Sequence, residues 1–462
     1  MKSRGKVGVI SLGCPKNQVD TETMLGRFVD AGYGLTPDPN DADLLVVNTC
    51  GFIADAVEES REAIREMAEI KAAHPGKRLI VTGCLSQRLG ESLMREIPEI
   101  DLMTGTGQFD RMIPLLERPS IGSIPIQPVE GDHGGSVGHA EIGLPKRAFD
   151  EEASRVLTTR PHTAYVKIAE GCNASCAFCV IPQLRGPFRS RQPEEVEREV
   201  RRLVSSGVRE ITLISQDTTM YGRDLAPRTS LADLLGRLNA IEELTWIRMQ
   251  YLYPTLVTDA LLDAVAGFEK VVPYFDIPLQ HSHSDVLRRM RRAERGNTVR
   301  DLVKRIRAKV PDASIRSTFI VGFPGETEEE FKDLDRFLEE VHLDHVGVFL
   351  YSDEKDAPAH AFSGKIPMEI AERRRETLMR RQMEISRLRL KEKIGSIIPV
   401  MVDGTSLESE FLLEGRTVGQ APEVDGLVIL NQGYAEPGEV VSVQITDAFE
   451  YDLVGEILDV DE

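Results

Sequence analysis

Six cysteines, at positions 14, 50, 84, 172, 176 and 179, are the residues of this chain with the most chemistry to offer. Three of them fall in one short stretch, Gly171-Cys172-Asn173-Ala174-Ser175-Cys176-Ala177-Phe178-Cys179. Thiolates spaced C-x3-C-x2-C on a loop suit an iron–sulfur cube, which takes cysteine as its usual protein donor and needs four ligands. Three protein ligands leave one iron open, as a catalytic metal requires. Structural zinc sites usually supply four protein ligands, often as paired C-x2-C knuckles, and no fourth cysteine follows here. Zinc, or core thiols placed by chance, are the competing explanations.

The other three cysteines are far apart in sequence but alike in setting. Cys14 follows the apolar run Val7–Leu12, Cys50 follows Leu44–Val47, and Cys84 follows Leu79–Val81. Each stands in a turn: Gly13-Cys14-Pro15, Thr49-Cys50-Gly51 and Gly83-Cys84-Leu85. If the three runs are neighbouring parallel strands, their carboxyl ends come together and three thiols gather at one edge of a sheet. That is a second three-ligand cluster site. Three unrelated buried cysteines are the bland alternative, since free cysteine is commonly buried. Two such sites mean two open irons, one to cleave a cofactor and one to hold a donor atom such as sulfur.

The elements that must position these thiols can be read from periodicity. Residues 5–118 alternate strands and helices, with helical patterns at Thr21–Ala31 and Val57–Ala72, which predicts a small α/β domain with a parallel sheet. Residues 119–157 read as a linker, glycine-rich over Gly131–Gly138. Residues 158–393 repeat strand and helix. Expected strands are Ala164–Ile168, Glu210–Ser215, Trp246–Leu252, Tyr274–Pro278, Ser314–Gly322 and Val346–Tyr351. Expected helices include Pro193–Ser205, Leu231–Ala240 and Glu328–Val341, and the arginine-dense Met368–Lys393 reads as a helix with a solvated face. Six strand–helix units predict an open, partial (β/α)6 barrel with its site at the carboxyl ends of the strands. Residues 394–462 carry short apolar runs, Ile397–Val402, Val428–Leu430 and Val440–Ile445, between Gly, Pro and Asn. They predict a small all-β, OB-like barrel. The expected fold class is therefore α/β multidomain.

The chain has 462 residues, more than one core usually serves, so several domains are expected. No apolar run is long enough to span a membrane, and Met1–Gly5 lacks a signal-peptide pattern. A cytoplasmic protein with reduced thiols is expected. The net charge of −19 disfavours nonspecific nucleic-acid binding and suits a basic protein partner, with solubility alone as the plain alternative. From Ile394 onward the only basic residue is Arg416. Against it stand Asp403, Glu408, Glu410, Glu414, Glu423, Asp425, Glu436, Glu439, Asp447, Glu450, Asp452, Glu456, Asp459, Asp461 and Glu462. Such a tail has little with which to grip a phosphate backbone, and its field would steer a basic protein toward it.

The C-x3-C-x2-C loop after the first strand of a partial barrel resembles the radical S-adenosylmethionine (radical SAM) superfamily. With the three strand-end cysteines and the β tail, the chain resembles the methylthiotransferase family along nearly its whole length. The resemblance implies an N-terminal cluster domain, a radical SAM core and a C-terminal TRAM domain. Ser11-Leu12-Gly13-Cys14-Pro15-Lys16-Asn17, Ile214-Ser215-Gln216-Asp217-Thr218 and Tyr251-Leu252-Tyr253-Pro254 are similar to the branch that acts on ribosomal protein. The branches acting on tRNA typically carry Gln after the first Cys and Gly-Gln-Asn at the second place. The implied activity is addition of a methylthio group to the β-carbon of an aspartate in the twelfth protein of the small ribosomal subunit. The alternative is tRNA adenosine methylthiotransferase.

The resemblance also implies two [4Fe-4S] clusters, S-adenosylmethionine as cofactor and methyl donor, an electron donor such as flavodoxin, and a sulfur donor. The cluster on Cys172, Cys176 and Cys179 would bind the cofactor and that on Cys14, Cys50 and Cys84 would present sulfur. No acid–base side chain is assigned, because the cofactor carries the hydrogen abstraction. Phe178 stands where the superfamily often has an aromatic residue beside the adenine. Further candidate cofactor contacts are Ser215, Gln216, Gln280, Arg316, Ser317 and the turn Gly322–Glu326, each with a plain alternative as turn or strand-end chemistry. His281 and His283 form an H-x-H without an evident third ligand. Arg185, Arg189 and Arg191 either steer an acidic target side chain or belong to a solvated loop.

Overall fold

Runs of β-branched residues buried on both faces form the parallel strands, and the amphipathic stretches between them form helices. The computed structural model describes residues 4–108, 111–117, 138–145, 154–407 and 409–458. They group into two compact units. The first comprises residues 1–158, 169–174 and 179–189, and the second comprises residues 159–168, 175–178 and 190–462.

The first unit is built on a six-stranded sheet in the order Gly34–Leu35, Lys6–Ser11, Leu44–Thr49, Arg78–Gly83, Leu102–Thr104, His139–Glu141. Every pairing in it is parallel. Ile10 registers with Val47 and Val47 with Val81, so the three strands that precede cysteines end level with one another. Leu45, Val47, Leu79 and Val81 pack one core with Ile64 and Met67 of helix Ala54–Ala73. The opposite face packs Val7, Val46 and Ile80 on Met24 and Phe28 of helix Pro15–Asp30. That helix starts earlier than periodicity predicted, with Pro15 at its first turn and Cys14 as its N-cap residue. The expected linker is also modified. His139–Glu141 is a strand of this sheet, and Glu22 receives an ion pair from Arg155 and a hydrogen bond from Thr158 N–H at 2.9 Å. Residues 119–137 and 146–153 of that linker, which include most of Gly131–Gly138, lie outside the described residues.

The second unit contains strands Thr163–Lys167, Glu210–Ile214, Trp246–Met249, Tyr274–Asp276, Ser314–Val321 and His345–Leu350. All six expected strands are present. Their ladder is divided into two parallel three-stranded sheets, 163–167 with 210–214 and 246–249, and 274–276 with 314–321 and 345–350. An isolated bridge from Ile247 to Val271 spans the division. Helix Met368–Lys391 does not present its arginines only to solvent. Arg374 is buried against Glu326, Arg381 pairs with Asp335, and Arg389 pairs with Asp344.

The tail closes a five-stranded barrel in the order Ile397–Thr405, Leu413–Thr417, Val428–Gln432, Leu453–Ile457, Val440–Ala448. Val400, Val402, Val443, Ile445 and Leu453 fill it. Met401 and Ala421 pack against Trp246, Val272 and Tyr274, which joins the barrel to the strands of this unit.

Candidate functional site

In the first unit the three strand-end turns meet. Gly13 has a positive φ of 91°, and a Cβ placed on it would lie 2.9 Å from Cys50 Cβ and 3.1 Å from Cys50 Sγ. A Cβ on Gly51 would lie 2.8 Å from Leu85 N and 2.9 Å from the carbonyl carbon of Cys84. Glycine is therefore what lets the turns of Cys14, Cys50 and Cys84 nest. Asn17 stitches the assembly together. Its Nδ2 donates to Leu12 O at 3.0 Å and to Thr49 O at 2.9 Å, and its Oδ1 lies 3.9 Å from Cys84 Sγ.

The thiols span a gradient of exposure, with Cys14 exposed, Cys50 half-buried and Cys84 buried, and all are free. Burial pushes the Cys50 thiol up. Burial, with lesser contributions from Cys14 and Cys50, pushes Cys84 up to about 11, and Arg185 opposes it. Such thiols hold their protons at neutral pH unless a metal displaces them, so loading here couples metal binding to proton release. Three cysteines on nested turns at one sheet edge, one of them exposed, offer the donor set of an iron–sulfur cluster that keeps one iron free.

Around the C-x3-C-x2-C stretch, Cys172 N–H donates to Gly186 O at 3.1 Å. Each of the three sulfurs has an N–H directed at it. Ala174 N lies 3.4 Å from Cys172 Sγ, Ile181 N lies 3.4 Å from Cys179 Sγ, and Arg292 Nη1 lies 3.8 Å from Cys176 Sγ. N–H groups aimed at sulfur stabilise thiolates and tune a bound cluster, so these residues fit one as well. In the second unit Phe178 packs with Ala177, Val286, Met290 and Phe323.

The other expected contacts are placed as follows. Ser215 is buried and accepts from Asp217 N at 3.1 Å, with Gln216 beside it at the end of strand Glu210–Ile214. Gln280 holds a positive φ of 69°, rare for a residue with a side chain, and bridges to strand Ser314–Val321. Gly322 follows that strand with a φ of 77°, and its N–H donates to Glu326 Oε2 at 2.5 Å. Arg316 and Ser317 sit in the first half of the strand rather than at its end. Arg316 Nε lies 3.6 Å from Asp425 Oδ1, and Ser317 Oγ accepts from Leu279 N at 3.3 Å.

His281 is buried and bonded to Glu326, while His283 lies near Asp285 and Glu330. Arg289 already holds Glu330 through two hydrogen bonds, at 3.0 and 2.7 Å. Arg185 and Arg191 are both buried in ion pairs, Arg185 with Asp20 and Glu170 and Arg191 with Glu199. Neither fits a solvated loop or a side chain reaching for a target. From the sequence, Asn17 stands only within a family motif and Arg292 has no role. Arg292 stacks 4.1 Å from the Tyr253 ring centre in addition to facing Cys176.

Three family models cover the chain: an uncharacterized protein family, UPF0004, at residues 6–105, the radical SAM superfamily at 166–338, and the TRAM domain at 394–458. A protein of Syntrophotalea carbinolica named ribosomal protein uS12 methylthiotransferase RimO is 46% identical over 454 residues, 98% of this chain and 97% of that protein. The chain belongs to the ribosomal protein uS12 methylthiotransferase family. A second member of that methylthiotransferase family, from Geobacter sulfurreducens and bearing the same name, is 44% identical over 99% of each chain. Among solved structures, the radical SAM methyltransferase TsrM of Kitasatospora setae, with cobalamin and a [4Fe-4S] cluster bound, superposes with a TM-score of 0.55. It has 15% identity and covers 77% of this chain and 74% of its own, so the likeness is one of fold. As a radical SAM methylthiotransferase, the chain is a transferase that uses S-adenosylmethionine and an iron–sulfur cluster. Among the described residues no helix is long and apolar enough to cross a membrane.

Proposed function

We propose that this chain adds a methylthio group to the β-carbon of an aspartate of ribosomal protein uS12, using two [4Fe-4S] clusters. The observation that carries the second cluster is the nesting of Cys14, Cys50 and Cys84 at one sheet edge. A radical SAM enzyme needs only the C-x3-C-x2-C thiols to bind and cleave its cofactor, so a second converging trio calls for a separate task. Sulfur delivery is the task the product requires.

When bound, the cofactor and its cluster supply one-electron chemistry that reaches an unactivated C–H bond. The chain's own residues do the rest. Cys172, Cys176 and Cys179 hold one cluster and Cys14, Cys50 and Cys84 the other. Phe178, Ser215, Gln216, Gln280, Arg316, Ser317 and Gly322 are the proposed contacts that orient the cofactor. In this reading residues 5–118 form the cluster domain, 158–393 the radical core and 394–462 the TRAM domain. The enzyme works in the cytoplasm with an electron donor such as flavodoxin and a separate sulfur donor. The relatives' names favour a ribosomal protein over tRNA as substrate. The acidic tail supports the same choice.

Protein reconstituted without oxygen should hold about eight irons per chain, four for each cube. Changing Cys14, Cys50 and Cys84 together to Ala should halve that, leave release of 5′-deoxyadenosine intact and abolish the methylthio mass increment on purified uS12. Loss of cofactor cleavage in that variant, or undiminished iron, would overturn the two-site reading. An unmodified uS12 with a modified tRNA nucleoside would overturn the substrate.

A further inference from the structure

A buried guanidinium is costly unless its charge and its donors are satisfied, so its partners show what it serves. Arg185 closes helix Ile181–Arg185, and its side chain is 2% exposed. Nη1 lies 2.7 Å from Asp20 Oδ2 and 3.2 Å from Glu170 Oε2. Nη2 donates to Asn17 Oδ1, the same oxygen that lies 3.9 Å from Cys84 Sγ. The guanidinium thus touches the amide that ties Leu12 O to Thr49 O, the ends of the strands leading to Cys14 and Cys50. All of these residues belong to the first unit.

We infer that Arg185 is a positioning residue that sets the reduction potential of the cluster held by Cys14, Cys50 and Cys84. The inference rests on the two-cluster reading above. Reduction adds one electron to the cluster. A fixed positive charge in a poorly solvated site favours the more negative, reduced form and raises the potential. Asp20 and Glu170 hold the guanidinium in place and moderate its field. Two buried carboxylates and an arginine are an expensive way to pack a core, because an apolar group of similar volume is often at least as stable. A field aimed at the thiols accounts for the expense.

The test uses full-length chains in which Cys172, Cys176 and Cys179 are all changed to Ala, reconstituted anaerobically with iron and sulfide. The midpoint of the remaining cluster is then read by redox titration followed by electron paramagnetic resonance. Arg185→Gln should keep about four irons and shift the midpoint downward. Arg185→Lys, which keeps the charge, should return it toward the parent value. Glu170→Gln removes a negative partner and should shift the midpoint upward, which keeps the test alive if Arg185→Gln fails to load. Unchanged midpoints in the variants that retain iron would overturn the role of Arg185. An iron-free parent would instead overturn the two-cluster reading beneath it.

Discussion

Arg416 Nη1 lies 2.7 Å from Glu210 Oε2, so the only basic residue of the acidic tail is spent inside the protein, against the first residue of strand Glu210–Ile214. Its Nε also lies 2.6 Å from Asp403 Oδ2, and Arg248 Nε meets the other Glu210 oxygen at 2.9 Å. Removing one member of such a network strands buried charges. Arg416→Met is expected to cost about 3–5 kcal/mol. Asp403→Asn in the same chain should recover part of that loss, while Glu210 keeps its charge against the buried Arg248. Chemical denaturation of the single and combined variants measures both.

Asp403 is the acid-sensitive member of the network. Burial works to raise its carboxyl, but the hydrogen bond with His162 and the charges of Arg416 and Arg160 outweigh it and hold the carboxyl at about 2. In the unfolded chain it titrates at about 3.9. The folded protein therefore binds this proton less readily than the unfolded one. The resulting stability, about 2 kcal/mol, is complete above about pH 4 and is lost as pH falls through 2. Urea denaturation between pH 5 and pH 2 should show that slope in the parent, and Asp403→Asn should flatten it.

With Arg416 buried, the exposed charges of the described tail are all carboxylates: Glu410, Glu423, Glu436, Glu439, Asp447 and Glu450. Steering by such a face is a matter of association rate and weakens with salt. Changing Glu436, Glu439, Asp447 and Glu450 to Gln should slow association with purified uS12 several-fold at low ionic strength and leave dissociation nearly unchanged. Surface plasmon resonance over a salt series separates the two rates. Equal association at low and high salt in the parent would remove the steering role.

How far the sequence revealed this molecule follows from where its information lies. Strands such as Leu44–Thr49 were legible because continuous apolar runs, here Leu44–Val47, report burial on both faces. The start of helix Pro15–Asp30 was not. Its first turns bury Lys16, Asn17 and Asp20, polar residues that interrupt the apolar period; Asn17 faces Cys84 and Asp20 pairs with Arg185. His139–Glu141 was missed because three residues paired through their backbone leave no periodic mark. The six cysteines were visible from type and spacing. The roles of Arg185 and Arg292 were not, because an arginine's burial depends on partners such as Asp20 and Cys176 that only the fold supplies.

Gly83 offers the sharpest separation of one thiol trio from the other. It precedes helix Cys84–Leu89 with φ 97° and ψ −157°, a region essentially reserved for glycine. A Cβ there would lie 2.5 Å from both Asn48 Oδ1 and Thr49 O. Asn48 in turn donates to Asn17 O at 2.9 Å, and Asn17 faces Cys84. Gly83→Ala therefore carries about 1–3 kcal/mol of backbone strain in addition to a clash that is relieved only by moving the turn of Cys84. The variant is expected to lose roughly half of its reconstituted iron, as expected for one cube of two. It should still release 5′-deoxyadenosine, since the C-x3-C-x2-C thiols are unaltered. Gly76→Ala, where a Cβ meets nothing within 4 Å, serves as the control and should load fully. Full iron in Gly83→Ala would mean that Cys84 reaches its place without this turn, and that the sheet edge is less demanding than its glycines suggest.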